Sequence, residues 1–164
     1  MSSMDHAKTL ALLLIARGWK LALAESCTGG LVCATLTELS GSSEWFERGY
    51  ITYSNQAKTE CLGVPAELIE SYGAVSEPVA GAMAQGALRN AGANVGVSIT
   101  GIAGPTGGTA KKPVGTVCFG WAIPNATGEH VTTCQTKLFS GDRQSIRQQA
   151  AEYALVGLLA LLNN

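Results

Sequence analysis

Histidine is nearly absent from this chain of 164 residues, which has only His6 and His130. The first lies in the N-terminal approach and the second beside an expected hairpin turn, so neither a histidine triad nor a histidine-rich metal site is expected. Charge is also scarce. Asp, Glu, Lys and Arg make up 14% of the chain, against about 25% in an average soluble domain, so each charge beside a motif calls for a partner or a task. A net charge of −1, with no basic run beyond Lys111-Lys112, leaves no electrostatic footprint for nucleic acid. Long apolar runs are missing too. Leu10 to Ala16 and Ala154 to Leu162 fall far short of the ~20 residues of a spanning helix. The first is flanked by Lys8 and Arg17 and lacks a small-residue cleavage pattern, so neither a membrane span nor a signal peptide is expected. Cys27, Cys33, Cys61, Cys118 and Cys134 form no C-x-x-C pair and no zinc spacing. Their odd number and apolar neighbours suit reduced thiols in a cytoplasmic protein without metal or cofactor.

The length suits one domain over 1–164, in which roughly 70% of the unfolded surface can be hidden. Helical patterning runs from Asp5 to Arg17, with Ser3 or Asp5 as cap and Gly18 as a left-handed stop. Lys20 to Ala24 reads as a first strand, Gly29 to Leu39 as a helix, and Gly49 to Tyr53 as a second strand. A short helix stops near Gly63-Val64-Pro65, another covers Pro65 to Tyr72, and Ser76-Glu77-Pro78 opens a third that reaches Ala91. Ala93 to Thr100 is a buried strand. Thr116 to Ile123 and His130 to Phe139 form a hairpin, and Gln144 to Leu162, capped by Asp142, closes the chain. The expected class is α/β, with a mixed, mostly parallel sheet of about five strands. The apolar first and last helices leave room for a homo-oligomer.

Ligands in open α/β sheets bind beyond the carboxyl ends of the strands, and three polar or glycine-rich segments follow strand ends. Glu25-Ser26-Cys27-Thr28-Gly29-Gly30 joins a strand to a helix. It offers a hydroxyl, a capping Thr28 and free N–H groups suited to an oxyanion or phosphate, and it equally suits a plain turn. Cys27 is a rival nucleophile without an imidazole base. Tyr53-Ser54-Asn55-Gln56-Ala57-Lys58 sets a phenol, an amide and an ammonium at a helix start, where burial would lower the lysine pKa. Thr100 to Gly108, with Gly101 and Gly104, presents many backbone N–H groups but matches neither the Walker nor the Rossmann spacing. Arg143 and Arg147 sit at the start of the last helix, against its dipole. Arg143 binds either an anionic ligand group or a carboxylate, Glu25 or Asp142.

Ala24-Glu25-Ser26-Cys27-Thr28-Gly29-Gly30 and Trp45-Phe46-Glu47-Arg48-Gly49-Tyr50-Ile51-Thr52-Tyr53-Ser54-Asn55 resemble the CinA C-terminal domain family. So do Gly73-Ala74-Val75-Ser76-Glu77-Pro78, Thr100-Gly101-Ile102-Ala103-Gly104-Pro105, Lys112-Pro113-Val114-Gly115-Thr116-Val117 and Gly141-Asp142-Arg143. The motifs span nearly the whole chain in one order. The resemblance implies a three-layer α/β/α fold and, for a stand-alone chain without the extra N-terminal domain of longer members, a pyridine-nucleotide recycling role. The implied reaction is hydrolysis of the carboxamide of nicotinamide mononucleotide to nicotinate mononucleotide and ammonia. It further implies a metal-free pair, with Ser26 as nucleophile and Lys58 as base, and site positions at Tyr53 and Arg143. Tyr53 would orient or relay the proton. Glu25, Thr28, Gly29, Gly30, Asn55, Thr100, Gly101, Gly104 and Arg143 are the expected substrate-binding residues. The oxyanion donors are expected near Thr28 to Gly30 or in the 101–108 loop.

Two other classes stay open at this point. One is a nucleotide-binding competence/damage-inducible regulatory module without turnover. The other is a different hydrolase of pyridine or sugar nucleotides. A metal-dependent pyrophosphatase is disfavoured, because no carboxylate cluster stands beside the glycine loops.

Overall fold

A computed structural model describes residues 1–163. It contains α1 (Ser3–Arg17), β1 (Leu21–Glu25), α2 (Leu31–Thr37), β2 (Phe46–Ile51), α3 (Asn55–Leu62) and α4 (Ala66–Tyr72). These are followed by α5 (Glu77–Ala91), β3 (Val95–Gly101), β4 (Thr116–Pro124), β5 (His130–Leu138) and α6 (Arg143–Leu162). The five strands form one sheet in the order β2-β1-β3-β4-β5. Strand β1 lies parallel to β2 and β3, whereas β4 is antiparallel to both β3 and β5, so four of the five strands run the same way.

Helices α1, α2 and α6 cover one face, over a core of leucines from the helices and Leu21, Leu23, Val97, Phe119 and Trp121 from the strands. Helices α3, α4 and α5 cover the other, over Ala22, Ala24, Leu62, Val64 and Met83. The result is the expected three-layer α/β/α arrangement. Helix α5 sits unusually close to the sheet: a Cβ on Gly120 would lie 2.6 Å from the Ala80 carbonyl oxygen, and one on Gly96 2.4 Å from that of Ala84.

Several boundaries differ from the sequence expectation for identifiable reasons. Ser2, not Ser3 or Asp5, caps α1, and Asp5 completes a reciprocal capping box by accepting from the Ser2 N–H. Strand β2 runs from Phe46 to Ile51 rather than from Gly49 to Tyr53. It is an edge strand that leaves Glu47 and Arg48 in water, so after Phe46 its first half carries no alternating apolar pattern. The ladder closes with the Thr52 N–H donating to the Glu25 carbonyl at 2.9 Å, and Tyr53 then turns out of the sheet. Helix α2 begins only at Leu31, because Gly29 and Gly30 take positive φ values of 58° and 102°. The hairpin and α6 fall where expected, with Asp142 accepting from the Ser145 N–H.

Among the described residues, no helix is long and apolar enough to cross a membrane. All five cysteines are free.

Candidate active site

The ends of β1, β2 and β3 meet at one rim, and the N-terminus of α6 reaches it from the far end of the chain. A cavity of about 200 Å³ opens there, lined by Ser26, Cys27, Tyr53, Asn55, Lys58, Ala74, Val75, Thr100, Gly101, Ala103 and Arg143. A larger cleft of about 510 Å³ lies alongside between α3 and α4, and another of about 470 Å³ lies near the hairpin turn. Neither is lined by a nucleophile and a base.

Ser26 is the first residue after β1, and its N–H donates to the Ile99 carbonyl of the neighbouring strand at 3.0 Å. Its hydroxyl therefore stands on sheet-anchored backbone. Lys58 lies on the first turn of α3, which is capped by the Ser54 hydroxyl. Its side chain is only 1% exposed. Nζ contacts Ser26 Oγ at 3.1 Å and the carbonyl oxygens of Thr52 and Tyr53 at 3.0 Å each.

Burial lowers the Lys58 pKa below the ordinary lysine value, against a small opposing contribution from Cys27. A neutral amine has two N–H donors and one lone pair. When the amine is neutral and both donors serve the two carbonyls, its lone pair can face the serine hydroxyl, which also lies 3.4 Å from the Tyr53 carbonyl oxygen. The same burial works against Cys27, whose thiol is pushed up to about 11 and so stays protonated at neutral pH.

Tyr53 and Arg143 form the outer wall. One Arg143 nitrogen donates to the Gly104 carbonyl at 2.8 Å and the other to the Tyr53 hydroxyl at 3.2 Å. Neither Glu25 nor Asp142 pairs with it, which removes the carboxylate alternative. Thr100 donates its hydroxyl to the Ala74 carbonyl at 2.9 Å, tying the segment before α5 to the end of β3. At Gly101 a Cβ would lie 2.7 Å from Val117 Cγ2 and 3.1 Å from Cys27 Sγ. No larger residue fits there without movement.

Of the expected site residues, the structure brings Ser26, Lys58, Tyr53, Asn55, Thr100, Gly101 and Arg143 around the cavity. Glu25, Thr28, Gly29, Gly30 and Gly104 do not line it. Glu25 is the fully buried last residue of β1, and its carboxyl oxygens accept from the N–H groups of Gly30, Val32 and Cys33 at 2.9–3.2 Å. It thus takes over the start of α2, which Thr28 was expected to cap and which was expected to offer free donors. The Thr28 hydroxyl is buried without a partner, and the Gly29 N–H donates to the Ser26 carbonyl at 3.0 Å.

The 101–108 loop reaches the cavity only through Gly101 and Ala103. Beyond it Lys112 is held by the Tyr72 carbonyl at 2.7 Å. Sequence reasoning missed Ala74, Val75 and Ala103, apolar residues with no chemical signature. It also missed the task of Arg147, which donates to the carbonyls of Cys27 and Thr28 at 3.0 Å each. Among the described residues, no group of three or more His, Cys, Asp or Glu gathers as a metal set.

Comparison with known proteins covers nearly the whole chain. The family model described as "CinA C-terminal domain" matches residues 3–162. The chain is 55% identical over 140 residues to the nicotinamide-nucleotide amidohydrolase PncC of Enterobacter agglomerans, covering 85% of this chain and 83% of that protein. It is 53% identical over 148 residues to a CinA-like protein of Syntrophobacter fumaroxidans, but there it covers 90% of this chain and only 34% of the longer relative. Among solved structures, a competence damage-inducible protein of Klebsiella pneumoniae superimposes with a TM-score of 0.93 at 35% identity, over 100% of this chain and 99% of that one. A competence/damage inducible protein of Agrobacterium tumefaciens gives 0.90 at 40% identity, over 99% and 96%.

Proposed function

The chain belongs to the CinA C-terminal domain family, and from that premise we propose that it is an amidase. It hydrolyses the carboxamide of nicotinamide mononucleotide to nicotinate mononucleotide and ammonia, acting as one domain in the cytoplasm. The observation that carries this reading is the 3.1 Å contact between Ser26 Oγ and the buried Lys58 Nζ, at the floor of a cavity on the strand-end rim.

Ser26 Oγ attacks the amide carbon while Lys58 Nζ takes the hydroxyl proton. The tetrahedral oxyanion collapses as Lys58 returns that proton to the amide nitrogen, and ammonia leaves. The ester on Ser26 is then cut by water, with Lys58 accepting the water proton and handing it to the departing Ser26 Oγ, which restores the hydroxyl. Amide and water are consumed, and acid and ammonia are released. A lysine base answers the scarcity of histidine, and burial lowers its pKa, which favours the neutral amine that can accept a proton.

Size supports the substrate class. Whole small-ligand sites span about 300–1,000 Å³, so a cavity of about 200 Å³ takes the pyridine carboxamide and leaves the ribose phosphate at the mouth. Arg143, exposed there beside Tyr53, meets the phosphate, and Asn55 meets the ribose or amide. The five free thiols suit a reducing compartment.

The test is ammonia release from nicotinamide mononucleotide by the wild type, Ser26→Ala and Lys58→Ala. Each variant should lose activity by a factor of ~10³ or more while keeping its circular dichroism. Full activity in Ser26→Ala would remove the serine from the mechanism. A wild type that binds the nucleotide but releases no ammonia would make the protein a regulatory module instead.

A further inference from the structure

Ser26, Cys27 and Thr28 form a tight turn closed by the Gly29 N–H to Ser26 carbonyl bond of 3.0 Å. The carbonyls of Cys27 and Thr28 leave this turn on one side, where a single guanidinium holds both. Arg147 Nε lies 3.0 Å from the Cys27 oxygen, and an Nη lies 3.0 Å from the Thr28 oxygen. Arg147 comes from α6, 119 and 120 residues further along the chain. Its planar fork engages two adjacent peptide groups at once, which a lysine ammonium does with far less directional constraint. The half-buried site keeps water from competing strongly.

A trans peptide sets its N–H antiparallel to its C=O. Anchoring the Cys27 carbonyl on Arg147 therefore fixes the Thr28 N–H pointing away from the arginine. The Ser26 carbonyl, held by the Gly29 N–H, fixes the Cys27 N–H in the same manner. Among the described residues, no backbone carbonyl accepts from either of these N–H groups. They are the first two donors after the nucleophile. In serine hydrolases built on a strand-to-helix turn, the N–H following the nucleophile belongs to the oxyanion hole. The neighbouring donors are excluded, because Gly29 N–H closes the turn and Gly30 N–H is taken by Glu25 at 3.2 Å.

We infer that Arg147 is a positioning residue for the reaction, clamping the Cys27 and Thr28 carbonyls so that the turn carrying the Cys27 N–H, the first donor after Ser26 and on the cavity wall, holds that N–H in place as an oxyanion donor. Its positive charge also lies just behind the turn, where it favours negative charge developing at Ser26. Arg143, one turn earlier on α6, faces the cavity mouth. The same helix start thus serves the two ends of the substrate through different residues. This inference rests on the amidase reading above.

The test compares wild type, Arg147→Lys and Arg147→Met for ammonia release from nicotinamide mononucleotide, with binding of the product nicotinate mononucleotide measured by calorimetry. An oxyanion donor acts only in the transition state, so its misplacement lowers kcat by about 10² to 10³. Arg147→Met should show such a loss in kcat, with KM and product affinity changed less than about threefold. Arg147→Lys should recover part of the loss, and millimolar guanidinium ion should recover part of it in Arg147→Met.

Unchanged kcat in a folded Arg147→Met protein overturns the inference. So does a raised KM at constant kcat, which would make Arg147 a ligand of the substrate. If Arg147→Met does not fold, Arg147→Lys decides: wild-type kcat in that variant overturns the inference, and a large kcat loss at constant KM supports it. A wild-type protein that releases no ammonia fails the amidase reading itself and is told apart from either result.

Discussion

At the residue scale, the site turns on one amine sealed from water between two carbonyl oxygens and a hydroxyl. Because burial holds Lys58 below the ordinary lysine value, the folded chain releases this proton at lower pH than the unfolded chain does. Ammonia release should therefore climb as pH rises through the depressed value and level off once the amine is neutral. Stability has the same sign. Between the folded and unfolded pKa values the unfolded chain binds more protons, so the free energy of unfolding rises with pH across that window. Urea titrations at successive pH values should show this rise in the wild type and its loss in Lys58→Met. At neutral pH iodoacetamide should label the exposed Cys61 and spare the buried Cys27, with activity retained, as peptide mass mapping would show. Arg143→Ala should raise KM for the mononucleotide at least tenfold and hardly change kinetics on nicotinamide riboside, which lacks the phosphate. Ser26, Lys58, Tyr53 and Arg143 stand out in the sequence as polar residues at strand and helix boundaries. Their expected roles come from the family resemblance, and the structure gathers them around one cavity. Arg147 was legible only as a charge in the wrong place on a helix, since its partners are main-chain oxygens that no side-chain pattern reports.

At the element scale, the site depends on how α2 starts. Glu25 closes β1 and also accepts from three N–H groups at the beginning of α2, so strand end and helix start are joined by one side chain. Glu25→Ala leaves those buried donors without a partner, at about 1–3 kcal/mol. Thermal unfolding should fall by several degrees, and activity should fall with it because Ser26 is the next residue. The sequence suggested a threonine cap here, the local solution. The structure uses an acidic residue five positions ahead of the capping glycine, reached only because Gly29 and Gly30 turn left-handed. Strand β2 was displaced for a related reason: an edge strand needs one apolar neighbour side only, so Glu47 and Arg48 hid its beginning.

For the whole molecule, the class, the layers and most elements were readable from alternating strand and helix patterns, whereas the strand order was not. Pairing β1 between β2 and β3 is a property of crossover connections, and a linear pattern does not record which strands they bring side by side. The close seat of α5 on the sheet is likewise invisible until Gly96 and Gly120 meet the backbone of Ala84 and Ala80. Gly120→Val should push α5 away and cost about 1–3 kcal/mol, seen as a lower urea midpoint. The displaced helix should also slacken the segment held by Thr100 and lower kcat.

Helix α6 carries Arg143 to the mouth of the cavity and Arg147 beneath the turn, while its other end is fastened to α1 by Arg17 donating to the Leu162 carbonyl at 2.7 Å. A chain still on the ribosome with α6 unmade already holds its serine and lysine, yet lacks the two arginines proposed to hold the phosphate and the turn. On the amidase proposal, competence to act on the nucleotide therefore arrives only with α6, and a chain cut short before it is a silent one.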